Sequence, residues 1–268
     1  MKLQGFETKP GTDHIVQALV ASAGGVLYKR KGPVVDMWET TRWKGWRETY
    51  NDPVAFFGIL RGTASLIQNA REWYYFDHAY IAGAKHGNTF LGEPIYRLTK
   101  NWYHVRAIQN LDKSARARIA KYKGKYEIKP WQQDGKYILV CPPTPNMEFQ
   151  FDKKDWLNTT LQTLQKYSDR PILIRDKYSE KSLSDDLKNA YAMVSCTTAV
   201  CIDAILAGVP SFCDDIAVGL PMSLTDFSKI ETPYYPDDRQ EWIDTLVANQ
   251  FTMSEIKNGT AWEHVRNT

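Results

Sequence analysis

YAMVSCTTAVCIDAILAGVP, residues Tyr191–Pro210, reads as the end of an apolar strand, a turn of small hydroxyl residues and a short helix. Ala199, Val200, Ile202, Ala204, Ile205 and Leu206 make that helix apolar almost all round. Gly208 followed by Pro210 stops it. Ser195, Thr197 and Thr198 fall at its start, where the first backbone N–H groups have no intrahelical partner. Free donors and the helix dipole both favour an anion, so the spacing predicts a phosphate cradle. The competing reading is that Thr197 or Thr198 only caps a buried helix. Asp203, alone among apolar neighbours, predicts a buried acid in need of a partner: a ribose hydroxyl, an arginine or a backbone amide.

Outward from this stretch the pattern repeats. KYILVCPP (136–143) is a buried strand leaving into a proline-marked loop, DWLNTTLQTLQKY (155–167) an amphipathic helix and PILIR (171–175) a second buried strand. SLSDDLKNA (182–190) predicts a short helix, AMVSC (192–196) a third strand and VPSFC (209–213) a fourth. Strands alternating with helices imply a parallel sheet covered by helices. In PILIRDK, Arg175 and Lys177 stand two apart at the strand's carboxyl end and can point the same way. Beside the hydroxyl turn they predict a pyrophosphate clamp, with Arg binding as a bidentate fork. Two strand-end cations lying in solvent is the plainer alternative.

The first half is less regular. GTDHIVQALVASAGG (11–25) predicts a helix capped by Thr12 or Asp13 and stopped by Gly24-Gly25. VLYKR (26–30) and VVDMW (34–38) are strand-like, and residues 52–73 hold a helical period interrupted near Arg61-Gly62. WYYFDHAYI (73–81) predicts a strand, and residues 82–101 an irregular loop system. Asp77, among Tyr74, Tyr75, Phe76 and Tyr80, is a candidate general base; His78 could serve instead or orient the acid. An Asp77 paired with an arginine such as Arg97 is the structural alternative. Asp13 with His14 is a second acid–imidazole pair, for which helix capping is the better reading. Residues 112–130 carry seven Lys/Arg against two acids and predict the crossing between two α/β domains, 1–130 and 131–268, with the last helix able to pack back on the first. A ligand is expected between the domains, outside the strands' carboxyl ends.

The chain has 268 residues, 43% hydrophobic and 24% charged, an ordinary globular balance with room for one large or two small domains. Its four cysteines show no C-x-x-C pair, and three fall in predicted core elements, which suggests buried thiols in a reducing compartment. MKLQGFETKP lacks an apolar signal region and no run approaches a membrane span, so a soluble, cytoplasmic protein is expected. P-loop, G-x-G-x-x-G, H-E-x-x-H and G-x-S-x-G motifs are absent. Neither zinc-ligand spacing nor a D-x-D pair occurs, so no metal is expected. In WETTRWKGWRETY (38–50), Trp38, Trp43 and Trp46 alternate with Arg42, Lys44 and Arg47, a pattern suited to stacking and phosphate contact with nucleic acid. With the basic 112–130 segment it predicts a DNA-facing groove, against which the small net charge of +3 counts.

The hydroxyl turn, the helix and the AILAGVP ending resemble the donor-binding element of GT-B glycosyltransferases, often written S-x-x-x-E-A-x-x-x-G-x-P. Asp203 stands where an acid of that class commonly reaches the donor ribose, and PILIRDK resembles the basic strand end that holds donor phosphates. Residues 136–215 carry this likeness. GTDH, Arg61-Gly62-Thr63 and WYYFDHAYI look more like small phage enzymes that glycosylate hydroxymethylated or glucosylated DNA bases. The resemblance implies two Rossmann-like domains facing across a cleft. It implies a nucleotide-sugar donor, UDP-sugar first, on Arg175, Lys177, Ser195, Thr197, Thr198 and Asp203, with no other cofactor. The acceptor would be double-stranded DNA with Asp77 as base, in host cytoplasm if phage-encoded. Asp in place of the usual Glu, and the short chain, are departures from the pattern. A polysaccharide-synthesising transferase and a non-catalytic nucleotide- or DNA-binding module are the alternatives.

Overall fold

The computed structural model describes residues 1–29, 50–59, 63–81 and 89–268. Two compact units share the chain: residues 1–105, 111–122 and 246–268 form the first, and 106–110 with 123–245 the second. VVDMW, the Trp38–Arg47 alternation and the Arg61-Gly62 turn lie outside the described residues.

In the first unit, β1 (Gln4–Phe6), β2 (Val26–Tyr28), β3 (Val54–Phe57) and β4 (Trp73–His78) are parallel. β5 (Thr89–Phe90) and β6 (Glu93–Lys100) follow, and β6 runs antiparallel to β4. The C-terminal β12 (Gln250–Thr252) completes the order β12-β6-β4-β3-β1-β2, with β5 on β6. Alternation along β4 serves both faces. Tyr74 and Phe76 join Ile15, Val16 and Leu19 of α1 (Pro10–Ser22), while Trp73 and Tyr75 join Phe6, Phe56 and Leu66.

Three segments differ from expectation. Among the described residues of 52–73, Val54–Phe57 is a strand and Thr63–Asn69 a helix (α2), because a four-residue apolar run looks the same in a buried strand and a buried helix. Within 82–101, β6 is a regular eight-residue strand whose polar residues hid its alternation. The basic 112–130 segment opens with α3 (Lys113–Ile119), which belongs to the first unit and buries Ala115 and Arg118.

The second unit holds β7 (Tyr137–Cys141), α4 (Pro145–Gln150), α5 (Trp156–Tyr167), β8 (Ile172–Ile174), α6 (Leu183–Leu187), β9 (Ala190–Ser195), α7 (Val200–Leu206), β10 (Ser211–Cys213) and β11 (Ser223–Leu224). Its sheet is parallel throughout, in the order β11-β10-β9-β7-β8. The chain steps one way from β7 to β8 and the other way to β9, so the order reverses between β7 and β9. A crevice forms at the carboxyl ends of such a pair. β9 is buried along its whole length, as a central parallel strand must be. After α7, Gly208 sits at φ +82°, and a Cβ there would lie 2.0 Å from the Pro130 carbonyl oxygen. The glycine lets residues 129–132 pass against the helix end, where the Lys129 and Gln132 amides bond the Leu206 and Gly208 carbonyls. The chain continues through α8 (Arg239–Ala248) and returns to the first unit as β12, α9 (Met253–Lys257) and α10 (Thr260–Arg266). No helix among the described residues is long and apolar enough to cross a membrane.

Candidate functional site

The carboxyl edge of the second sheet gathers groups from four connections. Register aligns Cys141, Ser195 and Cys213 side by side across β7, β9 and β10. Paired residues of parallel strands share a face, so the Ser195 hydroxyl lies between two thiols. It is fully buried without a hydrogen-bond partner, and therefore belongs to the core rather than to an open cradle. Thr197 and Thr198 are half-buried, and Thr198 Oγ1 accepts from the Val200 amide at 3.3 Å, a local cap. Asp203 is exposed and engaged elsewhere, not buried: Cys201, Ile202, Ala204 and Ile205 take the inner face of α7 and leave position 203 outside.

The two strand-end cations part company. Arg175 Nη1 binds Asp186 Oδ2 of α6 at 2.5 Å, both side chains largely buried, and the Asp186 carbonyl accepts from Tyr137 at the start of β7. This pair fastens α6 to the sheet and turns Arg175 Nη1 towards the helix. Lys177 is exposed, its ammonium 4.8 Å from the Tyr178 ring centre.

One group absent from the sequence reading organises this edge. Asp214, the first residue after β10, receives the Trp156 indole N–H at 2.8 Å and the Cys196 thiol at 3.1 Å, both on Oδ2. The Lys153 ammonium stands 3.5 Å from the same oxygen. The carboxylate thus ties the turn after β9 to the start of α5 and the loop before it. A cavity of about 410 Å³ opens here, lined by Lys153, Trp156, Thr159, Asp214, Thr225 and Ser228 among others. The strand-end criterion that singled out Arg175 would have found Asp214. Burial pushes the Cys141 and Cys213 thiols up to about 12, and burial with the Asp214 bond raises Cys196 further. These thiols stay protonated at neutral pH and are not nucleophiles.

In the first unit, the predicted acids sit at the carboxyl ends of β1 and β4. Asp13 Oδ1 accepts the Thr8 and Lys9 amides at 2.7 and 2.8 Å. It lies one turn inside α1, whose N-cap is Lys9, rather than at the cap itself. From there it satisfies donors preceding the helix, as the third residue of a capping box does. Asp77 Oδ2 accepts the Tyr75 hydroxyl at 2.6 Å and Arg97 Nη2 at 2.8 Å, and Oδ1 accepts the His78 amide. Arg97 also reaches the His78 carbonyl and lies over the Tyr80 ring, 5.1 Å from its centre. Burial alone would lower the Arg97 pKa, but Asp77, Tyr80 and Tyr75 outweigh it and raise it. Burial, then the Asp77 charge, drives the Tyr75 phenol well up. A carboxylate so committed has few lone pairs left for a substrate proton. The His78 ring is exposed, edge-on to Phe57 at 5.9 Å, and Phe57 and His14 both touch Tyr96.

Asp13, Asp77 and His78 therefore belong to one unit, and Arg175, Lys177, Ser195, Thr197, Thr198 and Asp203 to the other. No group of three or more His, Cys, Asp or Glu among the described residues could hold a metal.

Parallel strands alternating with helices, twice over, define a mixed α/β protein of the kind found among glycosyltransferases. The fold is similar to that of KpsC from Thermosulfurimonas dismutans, a β-Kdo 2,7 transferase, with a TM-score of 0.53 at 11% identity, covering 98% of this chain and 100% of that one. A second KpsC structure from that organism, a β-Kdo 2,4 transferase, gives 0.48 at 9% identity over 93% of this chain and 90% of the other. No family model and no curated protein matches the sequence.

Proposed function

We propose that the chain is a glycosyltransferase of GT-B plan, moving a sugar from a nucleotide-sugar donor to an acceptor hydroxyl. The second unit would hold the donor and the first the acceptor. The observation that carries the reading is the strand-order reversal between β7 and β9, at whose carboxyl edge the Thr197–Thr198 turn, Asp214 and Lys153 converge. Nucleotides bind at such edges in open parallel sheets. The fold likeness to a Kdo transferase over nearly the whole chain supports a transferase over a purely binding module. UDP-sugar is the first donor to try.

A saccharide acceptor is favoured over duplex DNA. Of the seven cations in 112–130, Arg118 is buried, donating to the Ala248 carbonyl and lying over Phe251, and Lys121 pairs with Glu255. The other five, Lys113, Arg116, Lys123, Lys125 and Lys129, are exposed and, with the Arg42, Lys44 and Arg47 segment, are the support that DNA keeps. As proton acceptor, the exposed His78 serves better than Asp77, whose oxygens are occupied. Charge developing on the departing phosphate would be met by the turn and the edge cations.

The test is a thermal-shift screen with UDP, GDP, CMP and their sugars, followed by nucleotide release with oligosaccharide or hydroxymethylated DNA added. Stabilisation by one nucleotide, and release that depends on the oligosaccharide, is expected. Release dependent on DNA would restore the DNA acceptor. No stabilisation by any nucleotide would remove the transferase reading.

A further inference from the structure

The reading above needs a cation at the donor edge, and the one the sequence favours, Arg175, is tied to Asp186 in a largely buried ion pair. Three features of Lys153 mark it as the replacement. It is joined to the turn after β9 by a short chain of contacts, Lys153 to Asp214 to Cys196, two residues from Thr198. Its grip on Asp214 is loose: 3.5 Å exceeds the 2.7–2.9 Å of a committed ammonium–carboxylate hydrogen bond. An ammonium has three donors, and this one keeps them open to an arriving oxyanion. It also lines the 410 Å³ cavity, whose hydroxyls and Trp156 suit a polar, ring-bearing ligand.

Asp214 has a separate part. With Trp156 and Cys196 both donating to it, the carboxylate keeps its place whether or not Lys153 stays. Lys153 can then turn to a phosphate without leaving the half-buried acid unpartnered.

We propose that Lys153 binds the phosphates of the nucleotide donor, and that Asp214 is the positioning residue that keeps its ammonium beside the Cys196–Thr198 turn. The inference rests on the donor assignment of the second unit. Neither Lys177, on its exposed ring stack, nor Arg175, in its buried pair, takes this part.

Calorimetry of UDP against uridine, and CMP against cytidine, isolates the phosphate contribution. In the wild type the nucleotide binds tighter than its nucleoside. In Lys153→Ala, UDP or CMP affinity falls about tenfold while the nucleoside is unchanged, and Lys153→Arg restores most of the gap. Asp214→Asn narrows the gap less, since the ammonium remains but is no longer placed; a merely structural aspartate would weaken nucleotide and nucleoside alike. A gap that survives Lys153→Ala, or closes only through equal weakening of both ligands, overturns the proposal while leaving the donor assignment standing. A wild type that binds neither nucleotide overturns both.

Discussion

The two units divide their chemistry by residue type. The four histidines among the described residues, His14, His78, His104 and His264, lie in the first unit, and all four cysteines lie in the second. The first unit's edge is aromatic and charged, its acids committed to fixed donors: Asp77 to Tyr75 and Arg97, Asp13 to two amides. The second edge is built of thiols and hydroxyls around one carboxylate, with an ammonium held at arm's length over a cavity. The difference teaches how to read a charged residue at a strand end. Where a charged group is met by short bonds, it holds the edge together; where its contact is long and opens on a cavity, it is available to a ligand.

The largest effect should come from the packing that closes the second unit. Gly208→Ala combines a left-handed backbone with a Cβ driven 2.0 Å from the Pro130 carbonyl oxygen, a backbone atom that cannot rotate away. Strain and overpacking together cost about 4 kcal/mol, a loss of roughly 10 °C in thermal melts or no soluble protein. In the first unit, Gly11→Ala meets nothing within 4 Å and should be neutral or slightly stabilising. Equal melting of both variants would break the contrast.

Next in size is the buried pair of the first unit. Arg97→Ala leaves the Asp77 carboxylate short of its charged partner and should cost about 3 kcal/mol in urea unfolding. Arg97→Lys should recover little, because one ammonium cannot replace the two-pronged contact to Asp77 and the His78 carbonyl. An Arg97→Ala protein of wild-type stability would sink the view that Asp77 is structural and return it to candidacy as the base.

Much of the second unit was legible because parallel strands buried on both faces leave near-continuous apolar runs, as in Ile138–Cys141 and Ala192–Ser195. β6 was not, because an antiparallel strand carrying Glu93, Arg97 and Lys100 shows no such run. The Gly208-x-Pro210 stop was readable from local rules; its partner, the carbonyl of Pro130, lies nearly eighty residues away in sequence and was not. The site follows the same division. Strand-end residues could be found, but whether Arg175 was free depended on Asp186, a helix residue with no local signal. The hub on Asp214 depended on where Trp156 and Lys153 land, which only the folded chain decides.

The smallest effect tests the division of histidines and cysteines itself. Burial, reinforced by the Arg118 charge and partly opposed by Asp112, brings the His264 imidazole down to about 4, and its ring packs edge-on to Phe251. Burial and the Arg97 charge carry His104 well down too. In the unfolded chain both titrate near 6.5. As pH falls below that value the unfolded state takes up protons first, so stability is whole above about pH 6.5 and is lost progressively towards pH 4. His264 alone accounts for on the order of 2 kcal/mol of that loss. The thiols of the second unit act in the opposite sense: raised in the folded state, they withdraw stability only as pH climbs past the ordinary cysteine range near 8.5. Urea unfolding of the wild type and His264→Gln between pH 7.5 and 4.5 checks the acid limb. The variant should start less stable at pH 7.5, having lost the ring's packing on Phe251, yet decline with a shallower slope. Parallel slopes would show that the acid response has another source, and that gathering the imidazoles in one unit has no consequence for its stability.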